Sequence, residues 1–171
     1  MLEAVLKLNI LHLIVTCCDG AAILALLREA RGRTLPPVQL FNAVPFALAA
    51  APLLLAMGAP ETRAPRLWLA GLVAGMVLGA VRGSFLKFQL DRMYSRLRLP
   101  NGRDGLWASC VMAFCTLVAF GAGLANAPNP GLEVGAAGMV AACAGYLTGR
   151  AATLWRRSLS APHHTLHHLL P

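Results

Sequence analysis

The sequence predicts an all-α integral membrane protein with about five transmembrane helices. Of its 171 residues, 57% are hydrophobic and only 13% are charged, whereas a soluble domain carries about 25% charged residues. The apolar residues come in blocks of about 20, the length that crosses the hydrocarbon core of a bilayer. We therefore expect one five-helix transmembrane domain over residues 1–157 and a histidine-rich cytoplasmic tail over residues 158–171.

Loops rich in proline, glycine or charge separate five apolar stretches. The first helix is expected to end before Gly32, Pro36 and Pro37, because glycine and proline interrupt helices. Pro45 and Pro52 lie inside the second stretch and predict a kink there. The predicted spans are residues 9–27, 38–57, 67–85, 105–125 and 134–155.

The distribution of positive charge predicts the orientation in the membrane. Twelve Lys and Arg residues fall in the loops on one side, and only Lys7, Arg63 and Arg66 fall on the other. Cytoplasmic loops collect Lys and Arg, so we expect the N-terminus outside and the C-terminus in the cytoplasm. The net charge of +8 then indicates contact with anionic lipid headgroups, and we expect no nucleic-acid partner.

The longest stretch between spans, residues 86–102, allows two structures. Residues 96–99 alternate arginine with leucine, which favours a strand in a short basic hairpin. Leu86, Leu90, Met93 and Leu97 would share one face of a helix, which favours an amphipathic helix lying at the membrane surface. The periodicity of the sequence does not distinguish between these two structures.

Small residues recur at every fourth position on two predicted helices. Such stripes let membrane helices approach closely, and van der Waals packing then drives their association. We expect tight packing inside the bundle, with a homodimer interface as the alternative. The residues are Gly71, Gly75, Gly79 and Gly83 on the third helix, and Ala141, Gly145 and Gly149 on the fifth.

Asp19 lies near the middle of the first span, where a carboxylate costs roughly 2.5–3.5 kcal/mol. It therefore needs a proton or a cation. Arg82 and Arg150 lie near the cytoplasmic ends of the third and fifth spans, and Asn42 lies at a comparable depth on the second. We expect these four residues to form a buried polar cluster in which Arg82 or Arg150 holds Asp19. A proton, ion or ligand site at Asp19 is the alternative.

The tail carries two pairs of histidines four residues apart, His163 with His167 and His164 with His168. On a helix each pair could bind zinc, copper or nickel, which imidazole suits, although two ligands do not complete a tetrahedral site. A pH-sensitive tail on the membrane surface is the alternative. No other cofactor is predicted.

No residue set makes a complete active site. The sequence contains no HExxH, no GxSxG and no phosphate-binding glycine loop. The cysteines form no CxxC pair and no zinc-finger spacing, so we interpret them as small apolar residues of the spans. They are Cys17, Cys18, Cys110, Cys115 and Cys143.

A series of short segments carries a family resemblance. Leu35-Pro36-Pro37 enters the second span, the glycine-rich third span leads into a basic segment with Asp91, Leu97-Arg98-Leu99-Pro100 follows, and Gly149-Arg150 ends the fifth. In this order the chain, up to about Arg157, resembles the CcdC-like group of small five-helix bacterial membrane proteins. The resemblance implies the bacterial inner membrane and a link to cytochrome c biogenesis. It implies no catalytic residues.

Two functional classes follow from the sequence. The first is a non-enzymatic accessory or assembly protein that packs against other membrane helices, such as those of a respiratory or redox complex, or against a second copy of itself. The second is a small redox or metal-handling protein that uses the tail histidines or the intramembrane cysteines. A transporter-like element around Asp19 is disfavoured, because the five helices show no inverted repeat.

Overall fold

The computed structural model describes residues 10–58, 63–91, 96–99, 102–124 and 130–160. It confirms an all-α membrane protein in which five helical segments are long and apolar enough to cross a bilayer. The chain is thus a multi-pass membrane protein. The helices are α1 (Ile10–Ala30), α2 (Val44–Met57), α3 (Pro65–Phe85), α4 (Arg103–Leu124) and α5 (Pro130–Ser160).

Helix α5 is the central element of the bundle. It packs against α2, α3 and α4, while α1 packs against α2 and α4. Its buried face consists largely of alanine and glycine, so that neighbouring helices lie close to it. The helix is longer than the predicted span of residues 134–155 and includes residues 158–160, which the sequence assigned to the tail.

The second span is broken near its beginning. A 3₁₀ helix covers Pro37–Phe41, and α2 begins at Val44. Pro45 lies in the first turn of α2, where a helix needs no N–H donor. Only Pro52 lies inside the helix. The interruption therefore precedes Pro45, and the two segments together make up the second membrane-spanning length.

The glycine stripe of α3 packs against α5. Gly75, Gly79 and Gly83 are the buried residues of α3. A Cβ atom added to Gly75 would overlap the backbone carbonyl of Ala142, and one added to Gly79 would overlap that of Tyr146. The contact is reciprocal. Gly145 and Gly149 of α5 meet the carbonyls of Leu72 and Met76, and Gly71 meets that of Gly138.

The ends of α1, α3 and α5 and the beginning of α4 meet at one end of the bundle, which we call the basic end. Here Arg157 of α5 donates hydrogen bonds to the carbonyl oxygens of Gly83 (2.6 Å) and Leu86 (2.8 Å) at the end of α3. A cation at the C-terminus of a helix satisfies its free carbonyls and complements its dipole. The guanidinium also lies 5.0 Å from the centre of the Phe88 ring.

A two-stranded antiparallel sheet covers the basic end, in place of an interfacial helix. Strand β1 (Gln89–Asp91) pairs with β2 (Arg96–Arg98), with Leu90 opposite Leu97. The leucines of this segment face the bundle and not the lipid. Together with Leu40, Val44 and Leu154 they form a second apolar cluster, to which Leu86, Leu90, Leu97 and Leu99 contribute.

Candidate functional site

Arg150 occupies the centre of a polar site inside the basic end. Its guanidinium is 2% exposed and binds the carboxylate of Glu29, which is 3% exposed. The guanidinium also contacts Asp104: Nε lies 2.9 Å from Oδ2, and Nη2, the atom that binds Glu29, lies 3.1 Å from Oδ1. The second contact is bidentate, the geometry in which guanidinium and carboxylate pair best.

Two further side chains complete this arrangement, which we call the charge network. The Tyr146 hydroxyl donates to Oδ2 of Asp104 at 3.0 Å. Nε of Arg82 lies 3.5 Å from the same oxygen, although the Arg82 side chain is about half exposed. The charge network therefore consists of Glu29 from α1, Arg82 from α3, Asp104 from α4, and Tyr146 and Arg150 from α5.

Two glycines make room for the charge network. A Cβ atom on Gly102 would lie 2.9 Å from Oε1 of Glu29, and one on Gly105 would lie 3.2 Å from Nη1 of Arg150. Gly102, just before α4, and Gly105, in its first turn, thus let two buried charged groups lie against the backbone. Asp104 stands between these glycines in the first turn of α4, where the helix dipole favours a carboxylate.

The ion pairs of the charge network can hold neighbouring helices together. Two carboxylates face two guanidiniums, so the formal charges balance. Removing charges from water is costly, and a buried pair repays that cost only when its geometry and hydrogen bonds are good. The network joins four helices at one level, and loss of Arg150 would leave the buried carboxylate of Glu29 without its cation.

The structure changes the members of the predicted polar cluster. Arg82 and Arg150 do come together, but around Asp104 and Glu29, and neither forms an ion pair with Asp19 within the described residues. Asn42 is exposed, and its backbone N–H donates to the carbonyl oxygen of Gln39. The reason is that both arginines lie at the level of the helix ends, where Glu29 and Asp104 are also found.

Asp19 lies apart from the charge network, among uncharged side chains. It is 3% exposed, and its Oδ1 atom has no hydrogen-bond partner among the residues that the structure describes. The Thr116 hydroxyl of α4 lies within hydrogen-bonding reach of the carboxyl group. Thr116 is itself buried and donates to the carbonyl oxygen of Met112 at 3.1 Å. The side chain thus occupies an interior position between α1 and α4, and no cation in the described segments forms an ion pair with it.

The sequence analysis missed Glu29 and Asp104 because it placed both residues in loops. The structure extends α1 to Ala30 and begins α4 at Arg103. A signal for Glu29 was present in the sequence. A carboxylate in the last turn of a helix opposes the helix dipole, and it needs a cation from another element when it is buried.

The described cysteines and histidines form no metal centre. Across the segments that the structure describes, no group of three or more His, Cys, Asp or Glu side chains could hold a metal ion. All five cysteines are free thiols, and only Cys143 is buried. The tail histidines His163, His164, His167 and His168 lie outside the described residues, so metal binding there stays a prediction.

No known protein family, curated protein or solved structure matches this chain. The resemblance to CcdC-like proteins therefore stays a prediction from short sequence segments.

Proposed function

We propose that this chain is a non-enzymatic accessory protein that packs against a helix of another membrane protein through the outer side of α3. The observation that supports this is the unusual packing of α3. Its buried residues are three glycines, Gly75, Gly79 and Gly83, so the contact with α5 uses backbone and almost no side chain. The large side chains of α3 consequently face away from the bundle.

The exposed side of α3 has the pattern of a helix interface. Ala70, Ala74, Val77 and Val81 are all exposed and follow one another at intervals of four, three and four residues. This is the spacing of a seam between two packed helices. Small and β-branched residues let a second membrane helix approach at little cost in side-chain entropy. We call these four residues the outer seam.

The proposal includes a location and an orientation. The charge network and the arginines of the hairpin lie at the basic end, and the positive-inside rule assigns that end to the cytoplasm. The N-terminus would then be outside and the C-terminus inside. The bacterial inner membrane and the link to cytochrome c biogenesis follow from the resemblance to CcdC-like proteins.

Co-purification from native membranes tests the proposal. A tagged chain should carry one membrane protein in a fixed ratio, identified by mass spectrometry. Val77→Trp in the outer seam should abolish that complex, because the larger side chain holds a second helix away. Val111→Trp is the matched control, because Val111 is an exposed valine on α4.

Three results would contradict this function. The chain could purify without a protein partner, the partner could survive Val77→Trp, or a second copy of the chain could be the only protein bound. Haem or a metal in the purified chain would instead favour the redox or metal-handling alternative.

A further inference from the structure

A pocket of about 440 Å³ opens at the basic end, between the turn that follows α1 and strand β2. Its walls carry three arginines, Arg28, Arg33 and Arg96, together with the polar side chains of Thr34 and Gln39. Small-molecule sites typically occupy about 300–1,000 Å³. The pocket is therefore large enough for a small anionic group, and it is separate from the buried charge network.

The turn after α1 brings two of the arginines together. The N–H of Gly32 donates to the carbonyl oxygen of Glu29 (2.9 Å), and that of Arg33 donates to the carbonyl oxygen of Arg28 (3.3 Å). Gly32 has a φ of 64°, which glycine adopts without strain. This is a Schellman motif, in which the side chains at the positions of Arg28 and Arg33 commonly make an apolar contact. Here both positions hold cations.

The third arginine comes from the hairpin. Leu35 and Leu97 exchange two backbone hydrogen bonds, of 2.8 and 2.7 Å, which attach the turn to strand β2. Leu97 is completely buried. Because successive side chains of a strand point to opposite faces, Arg96 points away from the core and toward the pocket, where it is exposed.

None of these three arginines forms an ion pair with a residue in the described part of the chain. Two acidic residues lie near the pocket in the fold, but both are buried in the protein. Glu29 is buried against Arg150, and Asp91, opposite Arg96 in the sheet, is also buried. Three guanidiniums in one pocket repel one another, and an anion bound between them removes that repulsion.

We propose that this pocket binds a phosphate group. Guanidinium groups pair with phosphate oxygens through two parallel hydrogen bonds, and Thr34 and Gln39 supply further donors at the same opening. Arg28 lies in the last turn of a membrane-spanning helix, the depth at which lipid phosphates lie. The phosphate belongs either to the headgroup of an anionic lipid or to a water-soluble phosphate ester.

Binding to the purified full-length chain in a phosphate-free detergent tests the assignment. The probes are phosphatidylglycerol, detected as a bound lipid by native mass spectrometry, and glycerol 3-phosphate, detected by thermal stabilisation. The variants are Arg33→Gln and Arg96→Gln. Arg31→Gln is the matched control, because it removes the same charge from an exposed position in the same turn. Arg33→Lys separates charge from guanidinium geometry.

We expect Arg33→Gln and Arg96→Gln each to weaken binding about tenfold, the loss of one charge-assisted hydrogen bond, and Arg31→Gln to bind as the wild type does. The affinity of Arg33→Lys should lie between those of Arg33→Gln and the wild type. Binding of phosphatidylglycerol alone identifies a lipid site, and binding of glycerol 3-phosphate identifies a site for soluble esters. The proposal is overturned if neither probe binds, or if Arg31→Gln weakens binding as much as Arg33→Gln does.

Discussion

The Arg150 side chain is surrounded by protein and contacts two carboxylates. Glu29 reaches it from α1 and Asp104 from α4. Arg150 and Glu29 are almost completely removed from water, so the stability of each ion depends on its partners. A buried ion pair adds little net stability compared with apolar residues of the same shape, but removing one partner of the pair is expensive. The stability of the bundle should therefore be sensitive to removal of the Arg150 charge.

The first prediction concerns removal of this charge. Arg150→Gln leaves two carboxylates without their main cation and should lower the free energy of unfolding by about 3–5 kcal/mol. Arg156→Gln, an exposed position on the same helix, should change it by less than about 0.5 kcal/mol. Denaturant unfolding of the two variants in the same detergent provides the comparison. Equal stability of the two would show that the charge network is not formed.

Double-mutant cycles then identify the partner of Arg150. Glu29→Gln should restore part of the stability that Arg150→Gln removes, because the stranded charge is gone. Asp19→Asn should be additive with Arg150→Gln, since the structure gives the two side chains no contact. Strong coupling of Arg150 to Asp19 would instead favour the pairing that the sequence predicted.

At the scale of elements, the α3–α5 contact depends on the absence of side chains. Glycine in a helix is unfavourable by roughly 0.5–1 kcal/mol relative to alanine, so a run of four needs a reason. The structure gives one, because the carbonyl groups of α5 occupy the space that Cβ atoms on Gly75 and Gly79 would take. Backbone cannot move aside as a flexible side chain can.

The second prediction tests this contact. Gly75→Ala should destabilise the protein by about 1–3 kcal/mol, the usual cost of overpacking, because α3 must shift away from α5 as a unit. Gly121→Ala on α4 is the control, since a Cβ there meets no atom within 4 Å. It should be neutral or slightly stabilising. Thermal unfolding of both variants would contradict the prediction if their midpoints coincided.

At the scale of the whole molecule, the arrangement of charge predicts how the bundle lies in the membrane. Reporter fusions after Arg33, Pro60, Arg98, Asn129 and Pro171 should alternate between cytoplasmic and external signals, beginning with a cytoplasmic one. Arg33 and Arg98 lie at the basic end. An external signal from the Arg98 fusion would reverse the proposed orientation.

The class of the protein and the number of its spans can be predicted from the length of its apolar blocks. Long apolar blocks permit little except membrane helices, because every backbone polar group in lipid must be satisfied within its own segment. The glycine spacing on α3 likewise indicated a close contact, since one face of a helix follows from its period alone. Charge in the loops predicts an orientation as well, and the reporter fusions test it.

Tertiary structure decided which side chains meet. Helix rotation and relative depth are set by packing between segments distant in sequence, and no local pattern specifies them. The sequence therefore identifies Arg82 and Arg150 but pairs them with Asp19, and it places Glu29 and Asp104 outside the predicted spans. The arginine pocket also depends on a turn and a strand that come together only through the Leu35–Leu97 pairing. Membrane insertion follows from composition, whereas charge pairing follows from three-dimensional proximity.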